Sequence, residues 1–296
     1  MMSRLSANLG LLLAAAIWGG GFIAQSEAAS LGAGWLTGLR YILAFLVVLP
    51  LGVWEARRAA HPLGAAECLL LLPLGFAFFA GTILQQWAVA VTSVTHVGFL
   101  TGLYVIFVPC LETLVSRRLP HPAIWVAALL ALIGTWFLAG NLGGLGAGDL
   151  MTIISALCFA AQILLLDRFI RRSGRPVAAA LWQSATCVVL GLTIGGLTEP
   201  WHPAAIAGAW REILYAGALS GGVAFLLQAI FQRYTPPSDA AVMLMSESLF
   251  AALLAALILG ERLPPAGWLG CALLLGSLVL AQFGPMLRRR AVAGAV

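Results

Sequence analysis

Apolar stretches of membrane-spanning length follow one another along the whole chain, separated by short polar links. A bilayer core about 30 Å thick takes about 20 apolar residues in one helix. That window predicts ten spans, at 7–26, 34–54, 67–91, 94–116, 122–140, 149–170, 177–197, 212–233, 237–259 and 265–285. The links carry breakers, among them His61-Pro62, Pro120, Gly143-Gly144, Pro200, Pro236-Pro237 and Pro264-Pro265. The longest polar gaps, 55–66 and 198–211, are too short for a soluble domain. The first stretch begins like a secretion signal, with Arg4 ahead of an apolar run. It continues to about residue 26, longer than a signal core, which predicts a retained first span.

Charge adds an orientation. The chain is 61% hydrophobic and 9% charged, against about 25% charged in an average soluble domain. All sixteen basic residues of the Lys+Arg count are arginines. Arg57-Arg58, Arg117-Arg118, then Arg168, Arg171, Arg172 and Arg175, then Arg233, then Arg288 to Arg290 mark every second gap. Positive loops stay in the cytoplasm, so with Arg4 thirteen arginines lie on the cytoplasmic side. Arg211 and Arg262 lie opposite and Arg40 lies within the second span. Ten spans and this bias place both termini in the cytoplasm. The net charge of +5 and pI near 9.3 do not point to nucleic acid, because the arginines form no continuous basic face. Anionic lipid headgroups are their expected counter-charge.

The chain also repeats itself. Thr92-Ser93 through Leu119-Pro120 to Trp125 aligns with Thr235-Pro236 through Leu263-Pro264 to Trp268, an offset near 143 residues. Trp18 in span one aligns similarly with Phe159 in span six. The predicted architecture is all-α and membrane-integral, ten spans in two five-helix repeats, 1–141 and 148–296. An odd number of spans per repeat turns the second copy upside down. Inverted halves with a midplane site between them are a plan of secondary transporters.

Other classes fit less well. The five cysteines all fall in apolar runs without C-x-x-C spacing, so neither a disulfide framework nor a zinc site is expected. Gly146-Ala147-Gly148-Asp149 matches the G-x-G-D string of intramembrane aspartyl proteases. Such chemistry needs two carboxylates sharing a site, and the other candidate, Asp239, is predicted at the opposite face. Without lysine there is no P-loop and no Schiff base. No cofactor is expected, and no enzyme. A channel would show a filter loop or rings of charge. A non-transporting scaffold subunit stays open as an alternative.

Polar residues inside spans are the candidate chemistry, since they are costly there. Glu247, at the middle of span nine, is placed to bind an amino group, to carry a proton, or to lock the span to a neighbour. Arg40 is placed to snorkel or pair with Glu27, the favoured reading, or to hold a carboxylate. His96, near the outer end of span four, is a proton site or a helix-end hydrogen-bonding group. Glu112 reads as an ordinary interfacial carboxylate. Helical spacing puts Trp18, Phe22 and Gln25 on one face, and Ser155, Phe159 and Gln162 on another. Thr82 aligns with Gln86, Thr101 with Tyr104, and Phe225 with Gln228 and Gln232. These faces suit a cavity with an aromatic wall and a few hydrogen-bonding groups, or helix glue and packing. Gly98-x-x-x-Gly102, Gly191-x-x-x-Gly195 and Gly217-x-x-x-Gly221 predict close helix contacts. Pro109 predicts a kink, and a hinge, in span four.

Several of these segments resemble one family. Trp18-Gly19-Gly20-Gly21-Phe22 is similar to the W-G-x-x-F opening of EamA-type members of the drug/metabolite transporter superfamily. Arg40-Tyr41-Ile42-Leu43-Ala44 resembles their second-span R-[FY]-x-x-A signature. Thr235-Pro236-Pro237-Ser238-Asp239-Ala240-Ala241, Glu247 and Gly260-Glu261-Arg262-Leu263 resemble their closing block. Ser248 stands where that block has Pro, which leaves a bend of span nine without its usual cause. The segment Phe99 to Pro109 looks most like bacterial amino-acid exporters, including the YddG-type exporters of aromatic amino acids. The resemblance implies a bacterial inner-membrane exporter working by alternating access, with small metabolites as substrates. Amino acids, aromatic ones within them, lead; another metabolite or a drug-like amphiphile is the alternative. The lipid bilayer and a small-molecule substrate are the expected partners. The paired repeats make a monomer a sufficient unit, with a homo-oligomer open.

Overall fold

The computed structural model describes residues 4–92, 94–117, 119–139, 146–258 and 264–293. Helix α1 is Arg4–Glu27, α2 Ala33–Arg58 and α3 Ala65–Val91. Helix α4 comes in two pieces, Val94–Thr101 and Tyr104–Ser116, followed by α5, Pro122–Ala139. The second half starts with α6, Ala147–Ser173, and α7, Pro176–Thr198. Helix α8 is Trp210–Gln232, α9 again comes in two pieces, Pro237–Leu244 and Glu247–Ile258, and α10 is Pro265–Ala293. Nine described helices are long and apolar enough to span a bilayer, and Pro122–Leu138 of α5 is a shorter apolar helix. No strand is found among the described residues. Apart from 140 and 259, which lie outside the described residues, and Arg233, just past the end of α8, the ten predicted spans each fall on one of α1 to α10.

Polarity is sorted inside out relative to a soluble protein. Leu9, Leu13, Leu69, Phe76, Leu150, Val189 and Val279 are exposed. Asn8, Gln86, Thr152, Gln162, Gln228 and Glu247 are buried. An apolar exterior matches lipid, and polar side chains find partners only in the interior. Exposed Trp54, Trp201 and Trp210 sit near helix ends, where amphipathic rings suit the headgroup layer.

The two halves pack as related copies. Helix α2 lies along α7, α3 along α6, α1 along α8, and α5 along α10. The α2–α7 seam is built from glycine. A Cβ on Gly191 would stand 2.7 Å from the Gly38 amide nitrogen, so only glycine lets the backbones meet there. Gly134 and Gly270 make the equivalent α5–α10 approach, a Cβ on either meeting the other's carbonyl oxygen within 3.0 Å. The seam is closed at both ends by reciprocal caps. Glu55 accepts hydrogen bonds from the amides of Val177 and Ala178, both at 2.9 Å. Glu199 accepts them from Gly34 at 2.8 Å and Trp35 at 3.0 Å. Each carboxylate at the C-terminal end of one helix thus caps the N-terminus of its repeat-related partner, where backbone N–H groups are unpaired and negative charge is favoured.

Three expectations are modified. Span four is interrupted at Gly102-Leu103, not at Pro109, which lies inside the second piece. The bonds from Val105 N–H to Gly102 O and from Ile106 N–H to Leu103 O, both 3.0 Å, tighten the chain one turn ahead of the proline. Span nine breaks at Met245-Ser246 although it lacks the family's proline; Ser246 Oγ–H donates to the Met243 carbonyl at 2.6 Å. The two breaks are 143 residues apart, so repeat position rather than proline governs them. Gly217 and Gly191 pack against backbone as expected, but a Cβ on Gly98 would meet nothing within 4 Å. Gly98-x-x-x-Gly102 is therefore no helix seam, and Gly102 faces the Met245 side chain instead.

Replacing Glu199 by Ala removes two charge-assisted hydrogen bonds and should cost about 1–2 kcal/mol. A lower thermal midpoint in detergent checks it, Glu55→Ala should behave alike, and an unchanged midpoint in both would refute the capping role.

Candidate functional site

Between the repeats lies a cavity lined by residues of both halves. Of the expected site residues, Trp18, Thr101, Tyr104, Phe159, Gln162, Phe225, Gln228 and Glu247 all line it, as does Arg40. The wall is repeat-symmetric in position. Thr82 and Phe225, Gln85 and Gln228, Thr101 and Leu244, and Tyr104 and Glu247 are all liners, and each pair is 143 residues apart. Trp18 and Phe159, and Phe22 and Ile163, are liners 141 apart. The Tyr104 hydroxyl donates to Glu247 Oε1 at 3.5 Å, so repeat-equivalent side chains meet where the two broken helices face each other.

One side of the cavity is aromatic. The Trp18 and Phe225 rings are 4.6 Å apart, and Phe78, behind them, lies 4.5 Å from Phe225 and 5.5 Å from Tyr41. The Trp18 indole N–H donates to the Ser220 carbonyl at 3.1 Å. Ser220 sits in a π-helical stretch, Tyr215–Ala224, within α8. Such wide turns loosen the backbone ladder and recur at functional sites.

The wall also carries amides, one turn along from its rings, with Gln162 after Phe159 and Gln228 after Phe225. Gln162 Nε2–H donates to Gln183 Oε1 at 2.8 Å, and Gln228 Nε2–H to Gln232 Oε1 at 3.2 Å. Gln232 Nε2–H in turn reaches the Ile163 carbonyl at 2.7 Å, and Ser155 Oγ–H the Gly81 carbonyl at 2.7 Å. Ser155 and Gln232 are thus helix glue rather than wall. The Oε1 atoms of Gln25 and Gln228 have no hydrogen-bond partner, and both residues are liners.

Two assignments change. Gln86 is buried behind the wall, with its amide 3.3 Å from the Gln25 carbonyl, and Gln85 takes its place as liner, donating to Thr101 Oγ1 at 3.0 Å. Period counting from Thr82 favoured Gln86; the 143-residue offset from Gln228 points to Gln85. Arg40 neither snorkels nor pairs with Glu27: it is buried in the cavity wall over the Tyr41 ring, while Glu27 is exposed. Close packing of α2 on the glycines of α7 and α8 turns this arginine inward. Tyr41, Ser220, Ile163 and Leu244 are further liners that periodicity left unmarked. The His96 side chain lies outside the described residues.

At the end of the bundle that holds the N-terminus, side chains of several helices are linked. Arg4 pairs with Asp239, and Asn8 donates to Gln282 and accepts from Thr235 Oγ1, the latter at 3.0 Å. Ser238 donates to Glu112, which joins α9 to the end of α4, as an interfacial carboxylate would. At the far face Thr92 Oγ1 donates to Asp149 at 3.1 Å, and Asp149 also caps its helix through the Gly146 amide at 2.7 Å. The two aspartates belong to opposite ends of the bundle, so the G-x-G-D string here is a helix start.

The sequence matches the profile of the EamA-like transporter family over residues 5–140 and 146–283. It is 30% identical over 283 residues to an uncharacterized transporter of Archaeoglobus fulgidus, covering 95% of this chain and 87% of that protein. It is 27% identical over 299 residues to the uncharacterized transporter YwfM of Bacillus subtilis, covering 97% of each. A solved crystal structure with 21% sequence identity shares the fold, with a TM-score of 0.77 over 94% of this chain and 99% of the other. Ten apolar helices in two repeats around an interior polar cavity, and these matches along nearly the whole chain, make this multi-pass membrane protein a member of the EamA-like transporter family.

Proposed function

We propose that the protein is an exporter of small metabolites, amino acids foremost and aromatic ones among them, that works by alternating access. The observation that carries this reading is the cavity on the repeat axis, walled by equivalent positions of both halves. A site shared between inverted halves can open to either side when one half rocks against the other. The two repeats, 1–141 and 148–296, would be the moving bodies. The breaks at Gly102-Leu103 and Met245-Ser246 are natural hinges, because neither interrupts the helix ladder with a proline. The Trp18–Phe225 pair supports an aromatic side chain in the ligand, and the amides and Glu247 support a polar head. The arginine distribution supports a bacterial inner-membrane setting with both termini cytoplasmic. The side-chain network around Arg4 and Asp239 would then be a closed cytoplasmic gate. Glu247, buried at mid-span, is the proposed proton site.

Purified protein in liposomes should release preloaded tryptophan or phenylalanine saturably, with competition by other amino acids. Absence of flux for every amino acid from folded protein would move the substrate to another metabolite class. Trp18→Ala or Phe225→Ala should raise the half-saturating concentration about tenfold, equivalent to about 1.4 kcal/mol, with the thermal midpoint little changed. Glu247→Gln should abolish accumulation driven by a pH gradient while leaving exchange of substrate for substrate. Accumulation with wild-type pH dependence would remove Glu247 from coupling.

A further inference from the structure

A guanidinium and a carboxyl group, Arg40 and Glu247, line the cavity without meeting. Arg40 is 4% exposed, and its Nε has no hydrogen-bond partner. No described carboxylate forms an ion pair with it. The Tyr41 ring lies 5.2 Å from the guanidinium carbon. A buried guanidinium without an anion is strongly unfavourable, and leaving it so is rare within a membrane. Among the described residues Arg4, Arg171 and Arg175 have carboxylate partners of their own. Glu247, 5% exposed, has the Tyr104 hydroxyl as its side-chain partner. The two groups enter from opposite faces. Arg40 lies about 10 Å along α2 and Glu247 about 15 Å along α9 at helical rise. If these groups met, they would pair; instead both face the same space.

We propose that Arg40 is the carboxylate anchor of the cavity and that the ligand is a zwitterion bridging it to Glu247. A guanidinium presents a planar fork that matches a carboxylate. The ligand's ammonium group, with three donors, meets the Glu247 carboxylate and the unpartnered amide oxygens of Gln25 or Gln228. Its side chain lies against Trp18 and Phe225. Arg40 is then the specificity-determining residue: it admits α-amino acids and rejects their decarboxylated amines, because an amine leaves the buried guanidinium without its anion. The inference rests on the transporter reading of the cavity and deepens it.

Thermal-shift titrations of purified wild type, Arg40→Gln and Arg40→Lys test it, each with the amino acids and with the matched amines tryptamine and phenethylamine. Empty Arg40→Gln should melt at or above wild type, since it removes an uncompensated charge. Tryptophan or phenylalanine should stabilise wild type and the amines should not. Arg40→Gln should bind the amino acid at least tenfold more weakly, and Arg40→Lys, which keeps charge but loses the fork, should fall between. An Arg40→Gln protein that melts well below wild type, or fails to fold, would make Arg40 structural and overturn the anchor. Amines that stabilise wild type as well as amino acids do would overturn the anchor alone, leaving transport intact. No response to any amino acid would overturn the anchor together with the amino-acid reading.

Discussion

Lipid offers no hydrogen bonds, and every other feature of this protein follows from where its polar groups go instead. Backbone groups are satisfied within helices, and side chains such as Gln86, Gln162, Gln232 and Ser155 find carbonyls or amides on neighbouring helices. Each such bond fixes the rotation of a helix about its axis, because turning it outward would bring a polar side chain into hydrocarbon. The interior therefore becomes a polar framework, and part of the polar capacity it leaves unused faces the cavity. The unpartnered atoms of Gln25, Gln228 and Arg40 are such surplus capacity, and they are the most informative groups in the molecule.

Repetition places that surplus. The two halves meet through related helices, with glycine bringing α2 and α7 into backbone contact and Glu55 and Glu199 capping each other's partner helix. Equivalent positions then face each other across one axis, and Tyr104 touches Glu247 there. Position is symmetric while chemistry is not: Gln85 matches Gln228, but Thr82 is matched by Phe225 and Tyr104 by Glu247. This difference gives the cavity both aromatic and polar groups from a single repeated scaffold. The end networks differ as well, with an arginine–aspartate pair at one face and a threonine–aspartate contact at the other.

The sequence by itself determined the spans, the repeat and most of the wall. Hydrocarbon thickness sets helix length, and apolar run length is read directly from residue types. A 143-residue offset survives because the repeat preserves spacing even where identity is low. Trp18, Thr101, Tyr104, Phe159, Gln162, Phe225, Gln228 and Glu247 were all legible as inward-facing because polar and aromatic groups at helical spacing have few other places to go. Rotation about the helix axis was not legible to better than one residue, which is why Gln86 was favoured over its neighbour Gln85. Only tertiary structure decided the fate of Arg40, since nothing in α2 alone tells whether its arginine reaches the headgroups or the interior. That choice depends on the glycines of α7 and α8, distant in sequence, which draw α2 inward. The helix breaks were likewise decided by packing across the axis: proline marks where a helix bends easily, but the contact between halves sets where it does bend.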